Sequence, residues 1–201
     1  MNLKIIKNKH VVFLFLAFVL MIVSFFVIDK VFFPHNKTSD AIFSIVEENY
    51  SYAFVAICVF LAFSFFSRKY KSKMIPEILC FLIVIVLGQL LKFFIPRPRP
   101  IPTFAGNSFP SNHSLVVFSL LPFFKSWHYY IWLIICIFTA ISRVYWQYHY
   151  FSDIFAGSFI GYGIGILIKK IYQRYEKEKH KKEKHEKYEK IWKMPDIWIG
   201  R

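Results

Sequence analysis

Apolar residues fill this chain in runs too long and too uniform for a soluble fold of its size. Val11 to Ile28 carries no charge and is long enough to cross most of a hydrocarbon core of ~30 Å. Lys4, Lys7 and Lys9 precede it, as in a signal peptide. No small-x-small cleavage site follows, however, and the run exceeds a typical signal core, so it predicts a retained span. Further apolar runs lie at about Ser51 to Ser67, Ile78 to Ile95, Ser114 to Phe124, Tyr129 to Ile141 and Ile154 to Ile168. The runs at Ser114 and Tyr129 are short against the ~20 residues of a spanning helix. Their edges hold Ser, Tyr, Trp and single charges, which tolerate headgroups, and the link Lys125-Ser126-Trp127-His128 follows Pro122 closely. That predicts a helical hairpin, with one long kinked helix as the alternative. The expectation is an all-α polytopic membrane protein of six spans.

The 201 residues leave room for one such domain, residues 1–168, followed by a basic tail, residues 169–201. A net charge of +14 would point a soluble protein towards nucleic acid. Here the cations cluster beside apolar segments, the pattern that sets membrane orientation, and nucleic-acid binding is disfavoured. With six spans, the N-terminal lysines, the loop Arg68-Lys69-Tyr70-Lys71-Ser72-Lys73, Lys125 and the tail share one side, which the positive-inside rule makes cytoplasmic. The loop from Asp29 to Glu48 then lies outside. Cys58, Cys80 and Cys136 fall inside apolar runs without ligand spacing and imply neither a disulfide framework nor a metal site. Gly157, Gly161 and Gly165 recur every four residues, which favours close packing against another span over a dimerisation face. In the tail, Lys, Glu and His alternate as in a solvated helix with i,i+4 ion pairs. Its end, Ile191-Trp192 and Ile197-Trp198-Ile199, is suited to the inner leaflet.

Three polar blocks at the ends of apolar runs carry the chemistry. Lys92 is followed seven residues later by Arg99-Pro100, in a stiff segment whose prolines fix φ and hold two cations at a set separation. Arg97, in the same segment, suits either a second phosphate or a headgroup anchor. Pro110-Ser111-Asn112-His113 opens the next helix, where unpaired N–H groups and the dipole favour an oxyanion and Ser111 is a natural N-cap. Ser142-Arg143 precedes His149 and Asp153, whose four-residue separation lets a carboxylate orient an imidazole. Arg143 adds a bidentate donor for a phosphate. Taken singly these cations have a plain explanation as snorkelling side chains. Together with two imidazoles and a carboxylate, all falling on the outer side of a six-span chain, they suit the capture and cleavage of a phosphate ester.

In order and spacing the three blocks resemble the type 2 phosphatidic acid phosphatase superfamily, whose membrane members are six-span lipid phosphatases. Lys92, Arg99 and Pro100 match Lys-x6-Arg-Pro. Pro110, Ser111 and His113 match Pro-Ser-Gly-His, with Asn112 where glycine is usual. Ser142, Arg143, His149 and Asp153 match Ser-Arg-x5-His-x3-Asp. The resemblance covers Lys92 to Ile168 in detail. It implies a helical bundle in which His149 is the nucleophile, Asp153 its orienter and His113 the proton donor. It further implies that Lys92, Arg99, Ser111, Asn112 and Arg143 bind the phosphoryl oxygens. No metal or cofactor is implied, since no acidic cluster is present to hold one.

The expected partner is therefore a membrane lipid phosphate, met at the outer face of the cell membrane. A polyprenyl pyrophosphate such as undecaprenyl pyrophosphate is the first expectation. Lipid A phosphate, phosphatidylglycerophosphate and phosphatidic acid are the alternatives. A lipid phosphotransferase would use the same residues with a hydroxyl in place of water. A non-catalytic lipid binder would not need the nucleophile, and the related vanadate haloperoxidases are soluble. The oligomeric state is left open.

Overall fold

In the computed structural model, residues 71–101 and 106–192 are described, together with Val19. The first two expected spans fall outside these residues. The elements are α1 (Lys71–Phe94), α2 (Asn112–Leu120) continued by a 3-10 turn (Leu121–Phe123), α3 (Trp127–Tyr145) and α4 (Phe151–Trp192). Among the described residues three helices, Ile75–Phe94, Trp127–Tyr145 and Phe151–Glu189, are long and apolar enough to cross a membrane. Among the described residues the chain is thus all-helical and of membrane type.

The expected fourth span does not reach crossing length. The apolar helix Asn112–Phe123 rises only about 18 Å at ~1.5 Å per residue, against a core of ~30 Å. It is instead the centre of the bundle, with every residue from Ser114 to Phe124 buried. Pro122 ends it by withdrawing a backbone donor, and the last turn tightens to 3-10 geometry. The tightened turn sends the Leu121 N–H to Phe118 O. Val117 O accepts instead from the Trp132 indole at 2.9 Å and from Cys136 Sγ at 3.3 Å, which fixes α3 against α2. Ser126, with φ of 54°, turns the chain between α2 and α3, so the stretch is two helices and not one kinked one.

The glycine stripe explains how α4 lies on α2. A Cβ at Gly157, Gly161 or Gly165 would run into the carbonyl oxygens of Ser111, Leu115 and Ser119 respectively. Matching steps of four on both helices mean that α2 and α4 run parallel with touching backbones, the approach that small residues permit in lipid. The glycines serve intramolecular packing. α1 runs the other way against α2, with Cys80 Sγ donating to Ser119 O near one end and Gly88 facing Asn112 near the other. One face of α1 buries Cys80 and Val84 against Leu115, Val116 and Phe123, while Leu82, Val86 and Phe93 point outward.

α4 continues without a break past residue 168, where apolar sequence gives way to Lys and Glu. Both are good helix formers, so the fall in hydropathy does not end the helix. Ion-pair contacts such as Lys179 to Glu183 at 3.9 Å follow the i,i+4 spacing of the exposed stretch. At the C-terminal end of α2, Lys169 Nζ donates to Pro122 O and ties α4 to the end of the buried helix. The arrangement of the four helices brings the C-termini of α1 and α3 and the N-termini of α2 and α4 to one end of the bundle.

Candidate active site

At that end, α1 stops with Lys92 in its last turn. Lys92 Nζ donates to Asn107 O at 2.6 Å, and Asn107 Nδ2 donates back to Lys92 O at 2.7 Å. The chain between them runs through Pro96, Pro98 and Pro100, which offer no N–H to continue the helix. Ser108 clips this segment, its N–H reaching Arg97 O at 2.8 Å and its hydroxyl Pro98 O at 3.2 Å. Arg99 is held half-buried in the clipped loop. Asn107 and Ser108 carried no motif signal, and their supporting role emerges only from these contacts.

α2 starts as its sequence predicts. Ser111 is the N-cap, fully buried, with φ of −71° and ψ of 111°, and its Oγ accepts from the Ser114 N–H at 3.5 Å. The Ser111 N–H donates to Asp153 O at 3.1 Å and joins the first turns of α2 and α4. The Asn112 side chain meets α1. Its Oδ1 stands 2.5 Å from where a Cβ on Gly88 would lie, so its amide packs on α1. His113, in the following position, lies within electrostatic reach of Arg143, His149, Lys92 and Arg99.

α3 ends in a Schellman turn. The Gln147 N–H bonds to Val144 O at 2.9 Å and the Tyr148 N–H to Arg143 O at 3.1 Å, with Gln147 at φ of 55°. The turn reverses the chain so that the His149 N–H also reaches Arg143 O, at 3.3 Å. Arg143 itself is 1% exposed, with Nε 3.4 Å from Ser142 Oγ and its guanidinium carbon 5.4 Å from the centre of the Tyr148 ring. A guanidinium this deeply buried is held in place by protein contacts, not by snorkelling to headgroups.

Asp153 lies in the first turn of α4, its side chain fully buried. Its Oδ2 accepts the Tyr150 N–H at 2.9 Å, the reach-back half of a capping box. The same oxygen is 3.7 Å from His149 Nδ1, an ion-pair distance that a small ring rotation closes to a hydrogen bond. Burial pushes the His149 imidazole below its ordinary pKa, against the opposing pull of Asp153, and the Lys92 and Arg99 charges push the same way as burial. His149 is therefore neutral at neutral pH, with Nδ1 turned to the carboxylate and Nε2 on the opposite side of the ring.

Arg97 has intramolecular partners that the sequence expectation did not include. Its Nη1 is 2.7 Å from Asp153 Oδ1 and 2.5 Å from Ser152 Oγ, and its guanidinium carbon lies 4.1 Å over the Tyr150 ring. A signal for this was present: in extended proline-rich backbone with ~3 residues per turn, positions two apart face different directions, so Arg97 and Arg99 do not share one target. Among the described residues, no group of three or more His, Cys, Asp or Glu side chains is placed to hold a metal ion.

Comparison with known proteins agrees with this architecture. The family model described as PAP2 superfamily matches residues 73–177, more than half of the chain, and the chain belongs to that superfamily. It is 31% identical over 111 residues to an undecaprenyl-diphosphatase of Sulfolobus acidocaldarius, covering 48% of this chain and 54% of that protein. It is 26% identical over 108 residues to the bacitracin transport permease protein BcrC of Bacillus licheniformis, covering 47% and 53%. The chain thus spans about half the length of the curated relatives it matches. Two solved structures share the fold at a TM-score of 0.54. LpxE of Aquifex aeolicus is 22% identical and aligned over 68% of this chain and 88% of its own. A PAP2-type phosphatidylglycerolphosphate phosphatase of Bacillus subtilis is 19% identical, over 86% and 89%.

Proposed function

We propose that this PAP2 superfamily member is a lipid phosphate phosphatase that works through a phosphohistidine on His149, at the outer face of the cell membrane. The observation that carries the reading is the buried His149 set against Asp153, with Lys92, Arg99 and Arg143 arriving from three other segments at the same end of the bundle. In the first step His149 Nε2 attacks the terminal phosphorus and the bond to the leaving oxygen breaks, which is the ester oxygen of a lipid monophosphate or the bridging oxygen of a lipid pyrophosphate. His113 gives that oxygen its proton. In the second step His113 takes a proton from water, the water oxygen bonds to phosphorus, and the P–N bond breaks to release inorganic phosphate. Lys92, Arg99, Arg143 and the α2 N-terminus with Ser111 neutralise the phosphoryl oxygens throughout. The incoming dianion also supplies the negative charge that lets His113 hold a proton among those cations.

Polyprenyl pyrophosphate is the favoured substrate, supported by the relative named undecaprenyl-diphosphatase. The proposed topology is six passes, with the first two in the N-terminal apolar runs, the short buried α2 serving as the fourth inside the bundle, and the basic tail in the cytoplasm. Asn112 contributes through backbone geometry and packing, because its amide lies on Gly88. The reaction is proposed to need no metal. The test is phosphate release by the purified protein from a panel of lipid phosphates and pyrophosphates, with and without EDTA, beside His149→Ala and His113→Ala. Loss of release in both variants and indifference to EDTA support the reading. Undiminished turnover by His149→Ala sinks it, and transfer of the phosphoryl group to an added lipid hydroxyl, in preference to water, would make the protein a phosphotransferase.

A further inference from the structure

We propose that Arg97 is a positioning residue, fixing the Asp153 carboxylate, and through it the His149 ring, in place of binding substrate. The inference rests on His149 being the nucleophile oriented by Asp153. Asp153 divides its two oxygens between different tasks. Oδ2 takes the Tyr150 N–H at 2.9 Å and faces His149 Nδ1 at 3.7 Å, while Oδ1 lies 2.7 Å from Arg97 Nη1. A carboxylate held from one side only is able to turn about its terminal torsion, which is broad and two-fold. Held at both oxygens, its plane is fixed and Oδ2 stays aimed at the imidazole.

The guanidinium is itself well seated. One turn of α4 and the residue before it supply Ser152 Oγ at 2.5 Å, the Asp153 carboxylate and the Tyr150 ring, 4.1 Å beneath the guanidinium carbon. Its backbone is pinned by the Ser108 N–H on Arg97 O at 2.8 Å. Only 20% of the Arg97 side chain is exposed and none of that of Asp153, so this charge pair is largely withdrawn from water. Loss of one partner leaves the other charge buried and uncompensated, a much larger effect than loss of a surface pair. The groups facing His149 differ by element: Lys92 from α1, Arg99 from the clipped loop, His113 from α2, Arg143 from α3 and Asp153 from α4. Arg97 approaches from behind the carboxylate. Its charge compensates the Asp153 carboxylate from the side away from His149.

The experiment compares wild type, R97Q, R97K and H149A as purified full-length protein, on a lipid monophosphate and a lipid pyrophosphate across pH. In R97Q, kcat is expected to fall on the order of tenfold to a hundredfold on both substrates, the usual scale for losing an orienting partner. KM stays within about twofold, as befits a residue that does not grip the ground state. R97K regains part of kcat. The acid limb of kcat/KM moves to higher pH in R97Q, because the less compensated Asp153 carboxylate favours the imidazolium of His149. Unchanged kcat and an unmoved limb overturn the proposal, as does a rise in KM confined to the pyrophosphate, which would place Arg97 on the substrate. If R97Q fails to elute as folded protein, R97K decides by the same split between kcat and KM. Wild-type turnover in H149A marks failure of the underlying mechanism, separately from any result at Arg97.

Discussion

The Asn112 amide lies directly over Gly88, its Oδ1 2.5 Å from the position of a Cβ there. The missing side chain on α1 thus makes room for the extra side chain at the head of α2, and the two positions act as one packing unit. Gly88→Ala is expected to cost no more than about 1 kcal/mol, because the flexible end of the Asn112 side chain is able to turn aside and alanine itself favours a helix. Asn112→Gly in the same chain removes the collision. A double-mutant cycle on thermal unfolding should show a favourable coupling of about 0.5 kcal/mol or more between the two changes. Additive losses would show that the side chains do not share this space.

The state of His149 sets the pH dependence. Its folded-state pKa is lowered, chiefly by burial, so turnover on wild type should fall only below the ordinary histidine value of ~6.5. Asp153 opposes that shift, and Asp153→Asn should move the acid limb to still lower pH while kcat drops on the order of a hundredfold or more, as the ring loses its preferred tautomer. Stability follows the same sign. Below ~6.5 the unfolded chain takes up this proton first, so the fold loses stability as the solution is acidified. A limb that moves upward in Asp153→Asn would contradict the carboxylate's assigned effect.

The candidate site residues could be picked out in the sequence because each sits at a helix end with a fixed spacing to its neighbour: Lys92 to Arg99, Ser111 to His113, Arg143 to His149 and Asp153. Helix existence was equally legible from apolar runs. Helix length was not. Hydropathy places Ser114 to Phe124 beside the spanning runs, yet the helix is buried on all sides and ends at Pro122, a distinction carried by tertiary contacts alone. In α4 the helix expected of the charged tail follows the apolar run without a break and continues to Trp192, because Lys and Glu are good helix formers. The pairing of Arg97 with Asp153 was not legible, because the two are 56 residues apart and local pattern does not report pairings at that range.

Gln147 occupies the left-handed position of the Schellman turn with φ of 55°, where a side chain costs roughly 1 kcal/mol relative to glycine. Gln147→Gly should therefore raise stability by up to about 1 kcal/mol with turnover retained, since the hydrogen bonds to Val144 O and Arg143 O are made by backbone. Gln147→Val should do the opposite and also reduce turnover, because that turn delivers His149. Thermal unfolding and phosphate release on the same preparations decide it.

The glycine stripe makes a last, spatial prediction. Gly157 faces Ser111 O at the site end of the α2–α4 contact, whereas Gly165 faces Ser119 and Pro122 at the far end. In both places the obstruction is backbone or a proline ring, neither of which yields as a flexible side chain does. Gly157→Ala and Gly165→Ala should each cost about 1–3 kcal/mol, the scale of overpacking a tight interface. Their effects on turnover should differ. Pushing α4 away at Gly157 moves the helix turn carrying Asp153 off Ser111, lengthening the 3.1 Å link between the Ser111 N–H and Asp153 O. A displacement there misaligns the imidazole, and misplacements of ~1 Å can cost a hundredfold in rate. At Gly165 the strain falls two turns further along, next to Lys169 and Pro122, and leaves the cations and imidazoles in place. Measured below both unfolding midpoints, Gly157→Ala should lose far more kcat than Gly165→Ala at similar stability. Equal losses would mean that the α2–α4 contact supports the fold as a whole and does not set the geometry at its head.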